Sequence, residues 1–508
     1  MIRAVATFLV LLSISAFGAV PRITTEDVAT PAAVAGASGS SLAVGPDGVA
    51  WLTWLERTGQ DTALRFATFD AAGKQWSAAR TIAHGPDWFV NWADFPAVTV
   101  GAQGRATAVW FVNNPAPATG TSLGDGHDHH GPGYRAFHSR TTDAGQTWTP
   151  PAALTHESDS VEFVSLATLA DGRVLAAWLD GRAKKKGGKA QQLFARIVGE
   201  RGPDLLVDDS VCDCCQTALT AFPDGTALLT YRGRGDEEVR DIRVTRFRGG
   251  EWDEPRTLNS DDWRINACPV NGPQLASDGG RVAVAWFTAA DNDPRVLASF
   301  SPDAGARFLM PLRINETKPA GRVATVLLHD GAFLVTWVDV AGTLWLRRIT
   351  PDFTTTEPIA LTAAGTAKIK GFPRLALVRD YAGGKVAAQV LVTFSQEDAP
   401  ALRTLLVSVP EGDLLEAEKN CDCAPTAEQL RGFSIRGVMV GVKPEAATMQ
   451  VRHFELPGVF GEGTREFKVA PELTGGAVAA GQQFFGRVEK RDGAWWLFDV
   501  RLIAGPAK

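Results

Sequence analysis

Four cysteines are spaced so that they could act together. Cys212-Asp-Cys214-Cys215 form one short run, and Cys268 lies further along the chain. Thiolates gathered in one place suit soft or borderline metal ions, although Cys-x-Cys-Cys is not a standard zinc spacing. In an exported chain the same four can instead form two disulfides, with Cys268 tied to the Cys212 run. Adjacent Cys214 and Cys215 make a strained pair. Both readings stay open. Cys421-Asp-Cys423 completes the six cysteines and reads as a redox pair or a soft ligand pair. A third cluster, Gly124-Asp-Gly-His127-Asp-His129-His130, brings three imidazoles and two carboxylates onto one Gly-rich loop. Such a loop suits Cu(II), Ni(II) or Zn(II), and fits a solvated insertion equally well.

The elements that must position these groups repeat along the chain. A turn with Gly precedes an apolar strand ending in an aromatic residue. The instances are Gly48 to Trp54, Gly104 to Trp110, Gly172 to Trp178, Gly225 to Tyr231, Gly280 to Trp286, Gly331 to Trp337 and Gly384 to Phe394. Repeats about 50 to 70 residues apart suit propeller blades, which bury their faces against each other in a closed ring. The seventh repeat lacks a last strand, and a segment near Pro21 to Val28 is placed to supply it. A second motif follows the third strand of several repeats. It is complete in Thr141-Thr-Asp143-Ala-Gly145-Gln-Thr147-Trp148, close in Ser301-Pro-Asp303-Ala-Gly305-Ala-Arg-Phe308, and worn between Asp70 and Trp76. In this hairpin Asp accepts backbone N–H groups, Gly takes a positive φ and the aromatic packs beneath.

Composition sets the bounds. The chain has 508 residues, 45% hydrophobic, with a net charge of −6, 15 Trp and three Tyr. That length implies more than one domain or a repeat ring. The charge gives no nucleic-acid footprint. Arg3, the apolar run Ala4 to Ile14 and the small residues of Ala16-Phe17-Gly18-Ala19 predict a signal peptide over 1–19, hence a periplasmic or secreted protein with no membrane span. The propeller is expected over 20–410 and a polar linker over 411–432. Five alternating strands between Phe433 and Ile503 predict a small OB-like barrel in 433–508. The fold class is therefore all-β: a six- or seven-bladed β-propeller followed by a five-stranded OB-like barrel.

Residues 30 to 410 resemble the sialidase (BNR/Asp-box) superfamily, and within it a group of secreted sialidase-like proteins. The stretches that carry this are Asn91-Trp-Ala-Asp-Phe-Pro96, Glu162-Phe-Val-Ser165, Trp178-Leu-Asp-Gly-Arg182, Cys212 to Thr217, Tyr231-Arg-Gly-Arg234 with Glu238-Val-Arg-Asp241, and Cys268 to Pro273. The superfamily usually has six blades, against seven repeats here. The resemblance implies arginines that clamp a sugar carboxylate, a Tyr nucleophile activated by Glu, and an Asp acid/base. The first-blade Arg-Ile-Pro motif is absent. Of the tyrosines, Tyr134 lies in the Gly/His loop and Tyr381 in a turn, leaving Tyr231 as the nucleophile candidate. It stands at a strand end beside Arg232, Arg234, Glu237, Glu238 and Arg240, with Arg182 a further candidate and Asp94 or Asp180 the acid. Mutual pairing of these polar groups across blades is the competing account.

The C-terminal segment resembles the CusF-like periplasmic copper-binding domain over Arg436 to Pro444, Met449 to Gly458 and Phe467-Lys-Val469. The resemblance places His453 on a copper-ligand position. The methionine positions instead read Phe460, Gly463 and Arg465, so the soft thioethers are missing. The leading expectation is ligand binding linked to copper or another soft metal. The alternatives are an exo-glycosidase acting on an acidic sugar and a propeller that binds a glycan or protein without turnover.

Overall fold

The computed structural model describes residues 23–31, 36–115, 133–328, 330–351, 353–363, 369–379, 388–397, 401–409, 433–453, 463–470, 480–491 and 493–502. The signal-peptide segment, His127, His129, His130, Tyr381, Cys421 and Cys423 lie outside these residues.

Second strands such as Ala227–Arg232, Val282–Thr288 and Phe333–Asp339 are buried at every position. A strand covered on both faces reads as a continuous apolar run. That accounts for the repeated motif, whose Trp54, Trp110, Trp178, Trp286 and Trp337 are among the largest fully buried side chains. Each such strand is the second of one of seven antiparallel sheets found among the described residues. The first strands are Ala37–Val44, Ala97–Val100, Val161–Thr168, Ala218–Ala221, Gln274–Ser277, Pro319–Leu327 and Ile369–Arg379. Each lies against the next, and the last returns to the first. The sheets thus form a closed ring, a β-propeller. The seventh sheet takes its outer strand from the other end of the propeller: Thr24–Val28 pairs antiparallel with Leu402–Val409, from Thr24 opposite Ser408 to Val28 opposite Thr404.

The Asp-box hairpins lock neighbouring sheets. Asp143 accepts the Thr147 N–H at 2.9 Å and the Thr141 hydroxyl at 2.7 Å. Trp148 then packs edge-on against Trp51 and Phe66 of the preceding sheet. Gly145, at φ 76°, sits so close to Phe66 that a Cβ would collide with the ring. Gly145→Ala should therefore cost about 2 kcal/mol or more, from left-handed strain plus the clash, measured by urea unfolding. Unchanged stability would contradict this docking.

A separate closed barrel joins Phe433–Lys443, Thr448–His453, Gly463–Val469, Ala494–Leu502 and Gln483–Arg491 in that order. Its core includes Ile435, Met439, Met449, Phe467, Phe484 and Leu497. Among the described residues no helix is long and apolar enough to cross a membrane.

Candidate functional site

The cysteine run is the turn that carries the chain from the third sheet into the fourth. Leu205–Val211 ends the third sheet, and Ala218–Ala221 begins the fourth. The turn is tied down at several of the residues between. Cys212 N–H donates to the Arg232 carbonyl at 3.0 Å. Asp213 accepts the Gln191 N–H at 3.0 Å and pairs with Lys184 at 3.1 Å and Arg234 at 3.3 Å. Gln216 donates to the Ala93 carbonyl at 2.7 Å and accepts from Gly272 N–H at 3.0 Å. Gly272 has no room for a Cβ, which would overlap the Gln216 backbone. That close approach brings the loop of Cys268 beside Cys214.

The thiols converge. One Sγ from each of Cys212, Cys214 and Cys215 lies within 4.8 Å of the others, and all three residues are buried. The sulfurs of Cys212 and Cys215 are 3.4 Å apart. Cys268 is exposed, and its interaction with Cys214 lowers its thiol below the ordinary range. Arg240 donates to the Cys212 sulfur at 3.2 Å. Hydrogen bonds from the Cys214 and Cys215 thiols hold Cys212 well below the ordinary thiol range, helped by the Arg240 and Arg232 charges and opposed by burial. Burial, with the bond to Cys212, pushes Cys215 up to about 12. The result is one thiolate fed by neighbouring thiols, and thiolates are the metal-binding form. Tetrahedral sulfur ligation at about 2.3 Å from a metal separates sulfurs by roughly 3.8 Å, so these spacings fit a thiophilic ion. The structure holds the four propeller cysteines as free thiols, with no disulfide formed among them. The sulfurs of Cys212, Cys214 and Cys215 gather about one point, and Cys268 stands outside that group.

The glycosidase constellation is not assembled. Tyr231 is fully buried, and its hydroxyl donates to Asp208 at 2.6 Å rather than meeting Glu238. Asp208 in turn pairs with Arg243 at 2.7 Å. Burial, then the Asp208 charge, raises the phenol well above its usual value, the wrong direction for a nucleophile. Glu238 is held by Arg234 at 2.7 Å and by Arg240. Arg232 is 1% exposed and spends its donors on the carbonyls of Asn271, Arg240 and Phe287, with Trp263 beneath it. It is a brace and not a clamp. Asp180 is buried with Trp178 Nε1 at 2.9 Å, Ser158 at 2.9 Å and Arg182. Arg182 also reaches Asp204 at 2.5 Å and lies over Phe194. These residues pair with each other, as buried charges must. In the barrel, His453 is 2% exposed and packs edge-on against Phe467, which places it in the core.

Asp94 does carry the protonation of a general acid. It accepts the Tyr134 hydroxyl at 2.6 Å and the Phe163 N–H at 2.9 Å. Phe163 takes φ 53° in a bulge of its strand to offer that N–H. Burial is the largest cause that lifts the Asp94 carboxyl to about 8. Between the ordinary carboxyl value and about 8 the folded chain keeps a proton that the unfolded chain releases. This group therefore costs stability progressively as pH rises through that window, and levels off above it. In Asp94→Asn the decline of unfolding free energy between pH 4 and 8 should be shallower than in the parent. Parallel curves in urea titrations would contradict the assignment.

Sequence reasoning missed the residues that close the ring's axis. Trp92 stacks on Phe372 with ring centroids 6.1 Å apart, Arg322 lies 4.9 Å over Trp92, and Arg374 lies 4.2 Å over Phe95. Phe372 and Arg374 come from the seventh sheet, Arg322 from the sixth, and Trp92 and Phe95 from one loop, so no local pattern announces the group. Asn91-Trp-Ala-Asp-Phe-Pro96 was the one visible signal.

No family model matches the chain, and no curated protein matches it. Among solved structures it is similar to a lectin from Burkholderia pseudomallei, at 13% identity and TM-score 0.51, over 74% of this chain and 98% of that one. An intramolecular trans-sialidase from Ruminococcus gnavus matches at 10% identity and TM-score 0.41, over 74% and 95%. A polysaccharide lyase described as an ulvan lyase matches at 12% and 0.45, over 77% and 96%. The likeness to the lectin is one of fold: this chain is built on a β-propeller.

Proposed function

We propose that the chain is an exported propeller that binds a soft metal ion, copper(I) foremost, through Cys212, Cys214, Cys215 and Cys268. The convergence of three buried sulfurs beside Arg240 carries this reading. Thiolate ligands favour Cu(I) and Zn(II) over hard cations, and a guanidinium offsets the negative charge that several thiolates leave. The ring supplies rigidity, because the cluster sits on a turn fixed to four other segments. The barrel, by its resemblance, is an accessory domain of copper-chaperone type in which His453 serves packing.

The test is an anaerobic competition titration of the full mature chain with Cu(I) and a chromophoric chelator. One equivalent bound tightly, and lost in the Cys212/Cys214/Cys215 triple serine variant, is expected. No competition, or mass spectra showing two disulfides in the protein purified without oxidant, would overturn the reading.

A second reading has one observation of its own. Trp92 is 46% exposed and stacked between sheets beside Arg322, an arrangement that suits a sugar ring. The solved structure matched at TM-score 0.51 is described as a lectin. Trp92→Ala should then abolish any signal on a glycan array while leaving metal binding intact.

A further inference from the structure

The seven inner strands line a cavity of about 210 Å³ that opens to solvent, and every sheet contributes to its wall. Its charged lining residues are Asp94 and Arg374 alone. Arg374 donates to the Gln274 side-chain oxygen at 3.2 Å and lies over Phe95. Its Nε is buried with no hydrogen-bond partner. Among the described residues no carboxylate pairs with it. Guanidinium carries five donors, so most of its capacity is unspent.

Arg374 is half-buried, and a cation held there with its Nε buried and unbonded is stabilised by a counter-charge. Burial lowers Arg374 only to about 10, which leaves it charged at neutral pH. Asp94 cannot compensate it. That carboxyl is committed to Tyr134 and Phe163, and at about 8 it is largely neutral at pH 7. The cavity is also below the roughly 300 Å³ at which small-molecule pockets begin. A sugar does not fit, whereas an ion with a few waters does.

We propose that the axial cavity binds one small monovalent anion of chloride size against the Arg374 guanidinium. The anion supplies the missing counter-charge at the point where all seven inner strands meet, so its binding is linked to ring stability. The site shares Gln216 with the cysteine turn but uses none of its sulfurs.

Thermal unfolding of the full chain should be compared in sodium gluconate and in sodium chloride at equal ionic strength. Chloride should raise Tm by about 3 °C and saturate, as expected for a ligand of the folded state alone. In Arg374→Gln the two salts should give the same Tm. Crystals of the parent grown in sodium bromide should show an anomalous peak beside Arg374, a result that does not depend on how the variant folds. Equal Tm in both salts for the parent, or bromide-grown crystals with no peak in the cavity, would overturn the proposal.

Discussion

Arg232→Met should lower the unfolding free energy by about 4 kcal/mol. Arg232 is 1% exposed and bonds the carbonyls of Asn271, Arg240 and Phe287, at 2.8 Å, 2.6 Å and 2.7 Å. Methionine roughly fills the space but donates nothing. Each buried carbonyl left without a donor costs about 1–3 kcal/mol. Lysine should rescue only part of the loss, because its single ammonium cannot reach three separated acceptors with the same geometry. A ligand-clamping arginine would behave the other way: Arg232→Met would fold normally and lose ligand. Urea unfolding decides between the two, and a change below about 0.5 kcal/mol, the level typical of surface sites, would refute the bracing role.

Cys212→Ser and Cys215→Ser should each weaken Cu(I) binding by more than about 100-fold. Loss of an outer partner of a metal ligand typically costs about 10–100-fold, and loss of a ligand costs more. Arg240→Met should fall in that lower range, because it removes the cation 3.2 Å from the Cys212 sulfur without removing a sulfur. The order of effects is the informative part. A structural role for these cysteines would leave chelator competition unaffected by any of the three variants. Equal, small effects of all three would point to adventitious surface binding.

How much of this could be read beforehand varied with the range of the interactions. The blade pattern was legible because burial on both faces writes a local apolar run ending in a large aromatic. The Asp-box was legible because its hydrogen bonds span only four residues. The pairing of Thr24–Val28 with Leu402–Val409 followed from a missing strand in the last repeat. Sites were harder. Tyr231 looked reactive because Arg and Glu residues follow it, yet it belongs to a second strand whose end is still inside the ring. Its partner, Asp208, comes from the neighbouring sheet. Arg240 looked like a carboxylate clamp and proves to face a thiol. Cys268 meets Cys214 only because Gly272 lets two loops touch. Arg374 sits in an unremarkable strand, and its lack of a carboxylate partner among the described residues is a property of the closed ring alone.

The most direct test of the account is X-ray absorption at the copper edge of the full chain loaded with one equivalent of Cu(I). The account predicts three or four sulfur scatterers at about 2.3 Å, lost in the Cys212/Cys214/Cys215 triple serine variant. A first shell of nitrogen or oxygen at about 2.0 Å, unchanged in that variant, would contradict it.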